Sequence, residues 1–356
     1  MGARYSESDA RVRWPVRCAA VELELTDEQE FFAQTTRKFL AAECPISTVR
    51  ALESSADGFD RAYWKAGCEL GWTSMLVTEA DGGGSLSEHG ILDAVLVAEE
   101  MGRLVSPGPL VPTNVVAHAL STNGTDAQRA KWLPGLLSGD AIGAWVTGDG
   151  AIVEAGAQAD VFLVTTEAGQ RIVPAAEAIV TPLGGLDLVR RFARVEVARD
   201  AGAPIGGDGE RELQIAVVLQ SAETCGAMQR VFDITLEYLG DRYSFGRPLA
   251  SYQALKHRVA DNKMYLEASH AITAAAARAI AVDAPDAGAQ ASAAKSYIAS
   301  LATDVIQDCV QLHGGIGVTW EHDLHLYLRR ATTNRAMYGT AADHRERIAS
   351  TMVGAA

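Results

Sequence analysis

The sequence predicts a mostly α-helical protein with a small β domain in its middle: an N-terminal helical domain, a β-rich stretch and a C-terminal four-helix bundle. Three observations predict it. Helical periodicity runs from Leu25 to residue 141. Short β-rich runs crowd between Ile142 and Gly206, and four long helical patterns follow Glu210. At 356 residues the chain exceeds the roughly 250–300 that one core usually holds, so two or three domains are expected.

Composition excludes several classes. Hydrophobic residues make up 48% and charged residues 21%. No run approaches the ~20 consecutive apolar residues that span a bilayer, so a soluble protein without membrane partners is expected. A net charge of −14 repels phosphate backbones, so nucleic acid is not an expected partner and any anion site must be locally basic. Cys18, Cys44, Cys68, Cys225 and Cys309 stand apart without a CxxC pair. That spacing argues against a disulfide framework or zinc knuckle and points to the cytoplasm. Residues 1–24 carry Arg4, Arg11, Arg13 and Arg17 but no apolar signal core, and read as a loose tail.

The helical domain, residues 25–141, opens at Thr26, whose spacing to Gln29 is that of a capping box. Phe31, Phe32, Phe39 and Leu40 then fall near one helix face. Further helices are predicted over Trp64–Leu70, Ile91–Met101 and Thr125–Leu137, the last opened by a second box, Thr125 with Gln128. Gly82, Gly83 and Gly84 lack the strand and helix of a phosphate loop and read as a surface turn.

The β domain, residues 142–206, shows strand runs at Val161–Thr165, Ile172–Val173 and Ile179–Thr181. In a fourth, Ala193, Val195 and Val197 alternate with Arg194 and Glu196. The bundle, residues 207–356, is predicted as helices near 210–241, 249–282, 287–313 and 321–352, broken at Pro285 and at Gly314, Gly315 and Gly317.

Two segments are more specific. Asp241-Arg242-Tyr243-Ser244-Phe245-Gly246-Arg247-Pro248-Leu249, followed by Gln253 and Ala260-Asp261, resembles the RxxFGxPL…Q…AD signature of acyl-CoA dehydrogenases. Gln311-Leu312-His313-Gly314-Gly315-Ile316-Gly317 resembles the QxxGGxG turn of the same family, and Arg329-Arg330-Ala331 stands at its RDA position. The resemblance extends, less clearly, back to Leu25. It implies an FAD whose diphosphate and adenine half is contacted by Arg242, Phe245 and Gln253. Gln311, Leu312, His313, Gly314 and Gly315 would reach a flavin across a subunit boundary. An arginine fork and glycine backbone amides are suited to diphosphate oxygens. His322 and His325 lie near His313, but without a cysteine or HExxH pattern they read as solvent-facing rather than metal-binding.

Desaturation of an acyl-CoA thioester needs a carboxylate base beside the flavin. The resemblance places that base at Tyr338, with Gly339 and Thr340 after it, or in a second branch at Ala216, ten residues before Gly226. Neither is an acid. Glu223, two turns beyond Ala216 and beside Gln220 and Cys225, is the nearest carboxylate and the candidate base; its alternative is an interhelix ion pair. In the β domain, Trp145-Val146-Thr147-Gly148-Asp149-Gly150 runs almost directly to Ala159-Asp160, and only Thr147 keeps a weak match to the flavin loop.

Intact diphosphate motifs beside an empty base position and a trimmed β domain are explained by a second, unlike subunit. The Thr319-Trp320-Glu321-His322-Asp323 core resembles actinobacterial steroid-catabolism members that form α2β2 tetramers with interfacial flavins. The expectation is a subunit of an FAD-dependent acyl-CoA dehydrogenase, with a steroid side-chain CoA as the candidate substrate, passing electrons to an electron-transfer flavoprotein. A self-sufficient homotetramer and a flavin-free scaffold are the alternatives.

Overall fold

The computed structural model describes residues 25–148 and 151–354; the basic tail and Cys18 lie outside the described residues. Six helices come first: α1 (Asp27–Glu43), α2 (Ile46–Ala51), α3 (Arg61–Glu69), α4 (Gly90–Arg103), α5 (Leu110–Asn123) and α6 (Asp126–Ser138). Both capping boxes form, with Gln29 N–H on the Thr26 hydroxyl and Gln128 N–H on that of Thr125. Each satisfies amides that a helix start leaves unbonded. On α1 Leu40 is buried and Phe32 and Phe39 pack partly buried against the core beside Gln29 and Thr36, while Phe31 is exposed, so the predicted apolar face keeps three of its four residues. The triple glycine forms a turn in which Gly82 is left-handed, and a Cβ on Gly83 would lie 2.2 Å from the Val77 carbonyl.

The middle of the chain folds as two facing sheets. One has the order β1 (Gly143–Thr147), β3 (Val161–Thr166), β4 (Gly169–Pro174), β7 (Ala203–Ile205), with β1 and β3 parallel. The other is β2 (Ile152–Glu154), β6 (Phe192–Val197), β5 (Ala178–Leu183). Ala144, Val146, Phe162, Val173, Ala193 and Val195 fill the space between them. The predicted alternation holds on β6: Ala193 and Val195 are buried, Arg194 and Glu196 exposed.

The long helices α7 (Glu210–Asp241), α8 (Gln253–Ala281) and α9 (Ala287–His313) follow, with a hairpin of β8 (Tyr243–Ser244) and β9 (Arg247–Pro248) between the first two. The fourth predicted helix is two, α10 (Leu324–Ala336) and α11 (Ala341–Gly354). They are separated by Tyr338 at φ +56° and Gly339 at φ +98°, a left-handed kink no helix continues through. Helices α4 and α7 meet backbone to backbone: a Cβ on Gly102 would lie 1.9 Å from the Glu223 carbonyl, and one on Gly226 1.9 Å from the Glu99 carbonyl. Among the described residues no helix is long and apolar enough to cross a membrane.

Candidate functional site: two cavities and a buried charge ladder

Where α7 ends, α9 ends and the β8–β9 hairpin begins, a cavity of about 590 Å³ opens. Arg242, Gln311, Leu312, His313, Gly314 and Gly315 all line it, so residues 69 or more positions apart in sequence (242 to 311) converge. Among the described residues the Arg242 side chain has no hydrogen-bond or ion-pair partner. Gly314 and Gly315 face open space where a Cβ would stand, leaving their backbone approachable. His313 is 2% exposed and stacks on Tyr238 at 4.4 Å. Its Nδ1–H donates to the Cys309 carbonyl at 2.8 Å, while its buried Nε2 has no partner. Burial holds this imidazole below its usual pKa. Phe245 and Gln253 do not line the cavity. Phe245 stands 96% exposed at the hairpin tip at φ +51°, and Gln253 starts α8 with its amide against His257.

The histidines differ from expectation. His322 packs edge-on to His313 and His325 stacks on Trp320, so neither is a free surface imidazole. Among the described residues no cluster of three or more His, Cys, Asp or Glu could hold a metal. Cys44, Cys68, Cys225 and Cys309 are buried and free.

A second cavity, about 880 Å³, lies between the β sheets and the α10–α11 kink. Thr147, Trp145, Glu154 and Tyr338 line it. Trp145 stacks on Tyr338 at 5.9 Å and donates through Nε1 to the Thr165 hydroxyl at 2.9 Å. The Tyr338 hydroxyl points to Glu154 Oε2 at 3.5 Å. Burial, then the neighbouring Glu154 charge, raises the Tyr338 phenol well above its usual pKa, so it is no base at neutral pH. Ala216 is fully buried core and lines neither cavity.

Glu223 lines neither cavity either. Its Oε1 accepts from Arg330 Nη1 at 2.7 Å, and its Oε2 accepts from Arg190 Nη2 and from Asn334 Nδ2 at 3.0 Å. Arg330, fully buried on α10, also donates to Asp187, and Arg190 reaches Glu154 Oε1 at 3.3 Å. A ladder Asp187–Arg330–Glu223–Arg190–Glu154 thus crosses from the bundle into the β domain. Burial opposes ionisation of Glu223, but Arg190 and Arg330 overcome it and hold its pKa below the ordinary value. At Glu154 burial wins over Arg190 and the pKa rises. Beyond the ladder, Lys295 on α9 donates to Gln220 Oε1 and the Asn334 carbonyl, and burial lowers its pKa to about 7. Glu154, Arg190, Asp187, Asn334 and Lys295 escaped the sequence reading. The one visible signal was an acid inside the apolar run Ile152-Val153-Glu154.

These geometries meet a clear family match. Residues 26–140 match the acyl-CoA dehydrogenase N-terminal domain and residues 209–353 the acyl-CoA dehydrogenase C-terminal domain. The chain belongs to the acyl-CoA dehydrogenase family, whose members are oxidoreductases of acyl-CoA. It is 36% identical over 309 residues to acyl-CoA dehydrogenase IpdE2 of Mycobacterium tuberculosis, covering 86% of this chain and 91% of that one. It is 31% identical over 326 residues to the IpdE2 of Mycolicibacterium smegmatis, covering 91% and 98%. Among solved structures, the ChsE4-ChsE5 complex from Mycobacterium tuberculosis has the same fold, with a TM-score of 0.82 at 24% identity over 93% of this chain and 98% of that one.

The family's FAD fits the two cavities unequally. The first offers an unpaired guanidinium, an orphaned imidazole nitrogen and open glycine backbone, which suit a diphosphate. The second offers three carboxylates: Glu210 paired with Arg347, Glu154 sharing Arg190 with Glu223, and Asp208 without an ion-pair partner among the described residues. Reduced flavins and thioester enolates gain negative charge, which such walls oppose.

Proposed function

We propose that this chain is one subunit of a two-component FAD-dependent acyl-CoA dehydrogenase that desaturates a bulky acyl-CoA, a steroid side-chain CoA being the leading class. The observation that carries this is the inequality of the two cavities. The residues for a diphosphate are assembled, while the β-domain cavity is acidic and bridged by the Trp145–Tyr338 stack. The sequence resemblance to α2β2 members and the likeness of fold to a two-component complex support it. The unlike subunit supplies the flavin-ring pocket and the base, and an electron-transfer flavoprotein takes the electrons.

When bound, FAD accepts the hydride that leaves the β carbon of the thioester. This chain's part is to bind and orient. Arg242 neutralises diphosphate charge, Gln311 and the backbone at Gly314 and Gly315 present hydrogen-bonding groups to it, and His313 closes the cavity wall. Phe245, held out from the hairpin tip, lies against the flavin or the partner subunit. Glu223 serves as the ladder's central anchor, because a carboxylate holding two guanidiniums and facing neither cavity has neither the access nor the basicity for proton abstraction.

One observation favours a second reading, a self-sufficient homotetramer: Glu154 faces the second cavity as a carboxylate of raised pKa. Co-expression with an unlike acyl-CoA dehydrogenase subunit from the same source decides. One flavin per pair of unlike chains, lost in Arg242→Ala, supports the first reading. A yellow homotetramer bleached by acyl-CoA, with bleaching abolished by Glu154→Gln, supports the second. A complex whose flavin ignores Arg242→Ala leaves this chain a scaffold.

A further inference from the structure

The second cavity is the size of a drug-like ligand site and is not suited to an anion. Its walls include Trp145, Leu183, Leu213 and Met337, and apolar surface of that kind recognises rings and branched hydrocarbon. Its charge stays negative after pairing: Glu154 shares Arg190 with Glu223, Glu210 holds Arg347, and Asp208 has no ion-pair partner among the described residues. Glu154 lines the cavity and is 4% exposed. The carboxylate's two contacts are both loose, Arg190 at 3.3 Å and the Tyr338 hydroxyl at 3.5 Å. An ionised carboxylate has about four acceptor sites, so part of its capacity is unspent. A buried acceptor left partly bonded in an apolar cavity gains from a donor brought in by a ligand.

We propose that this cavity binds a bulky, neutral, hydroxyl-bearing lipophilic molecule, whose hydroxyl donates to Glu154 while its hydrocarbon packs against Trp145 and Met337. The threonine hydroxyls of Thr147 and Thr165 border the same space and tolerate a polar ligand edge. Glu154 is then the specificity-determining residue: it selects a donor and rejects carboxylates, phosphates and CoA. The inference rests on the reading that no flavin ring sits in this chain's own cavity.

The test uses the full chain in its purified complex and three probes of one shape: 2-naphthol, 2-methoxynaphthalene and 2-naphthoate, titrated calorimetrically. The hydroxyl probe is expected to bind about tenfold tighter than the methoxy probe, and the carboxylate probe weakest. Glu154→Leu brings the hydroxyl and methoxy probes to equal affinity. Should that variant fail to fold, Glu154→Gln keeps the volume and removes the charge, and 2-naphthoate binding then strengthens about tenfold. Equal affinity for hydroxyl and methoxy probes in the wild type, or preference for the carboxylate, overturns the proposal. Flavin content is read in parallel. One flavin per pair without probe selectivity sinks this inference alone, whereas one flavin in every chain sinks the two-component reading as well.

Discussion

Arg330 Nη1 lies 2.7 Å from Glu223 Oε1, joining α10 to the middle of α7 with both side chains buried. The sequence pointed to Glu223 as a base; its surroundings are those of an ion-pair anchor, the alternative that the helix position also allowed. Removing one member of such a pair strands the other without water.

Arg330→Met therefore leaves Asp187 and Glu223 with one fewer cation, and a stability loss of about 3–5 kcal/mol is expected in urea unfolding. Glu223→Gln is expected to destabilise as well, yet to leave substrate bleaching of the flavin in the assembled complex. Loss of bleaching with flavin content intact would restore Glu223 as the base.

Arg242→Ala removes the one unpaired guanidinium found in the first cavity. Flavin affinity of the complex is expected to fall about 10- to 100-fold, read as flavin absorbance after dialysis, with the melting temperature of the flavin-free protein unchanged. Arg242→Lys keeps the charge but not the fork and recovers only part of the affinity.

Gly226→Ala drives a methyl group into the Glu99 carbonyl across the α4–α7 contact. Overpacking of that kind costs about 2 kcal/mol or more, because backbone rather than a side chain must yield. Denaturant midpoints of Gly226→Ala and Gly102→Ala check this.

Lys295 gives a pH signature. Its folded pKa, about 7, is lower than its unfolded value of 10.5, so between these values the unfolded chain binds more protons. Stability contributed here rises with pH across that window, by up to about 1.4 kcal/mol per unit, and is flat below it. Lys295→Met is expected to remove this slope in unfolding titrations between pH 7 and 10. Asp187 and Glu223 act oppositely: their lowered pKa values stabilise above the unfolded carboxylate range, and that stability drains as acid protonates them.

Much of this was legible in local sequence. Helices α7 and α9 fall where periodicity put them, both capping boxes form, and the alternation at Ala193 to Val197 marks β6. The paired segments around Arg242 and Gly314 carried the family and meet in one cavity. Helix α5 was missed because Pro112 sits in its first turn and it is buried on nearly every side, leaving no polar stripe to mark its period. Strand β1 hid because four of its five residues are buried, erasing alternation. The α10–α11 kink depends on Tyr338 in a left-handed conformation that side chains seldom adopt. Glu223 could not be assigned from its neighbours, since its partners Arg190, Arg330 and Asn334 lie 33, 107 and 111 residues away.

The charge ladder also bears on how the molecule comes apart. Asp187 and Arg190 belong to the segment leading into β6, while Glu223, Arg330 and Asn334 belong to the bundle. Peeling the sheets from the helices would expose the ladder piecemeal and leave charges unmatched at every intermediate stage, so partial opening is penalised from its first step. The β domain is thereby expected to lack an independent melting transition: sheets and bundle unfold as one cooperative unit, which a single calorimetric peak would show.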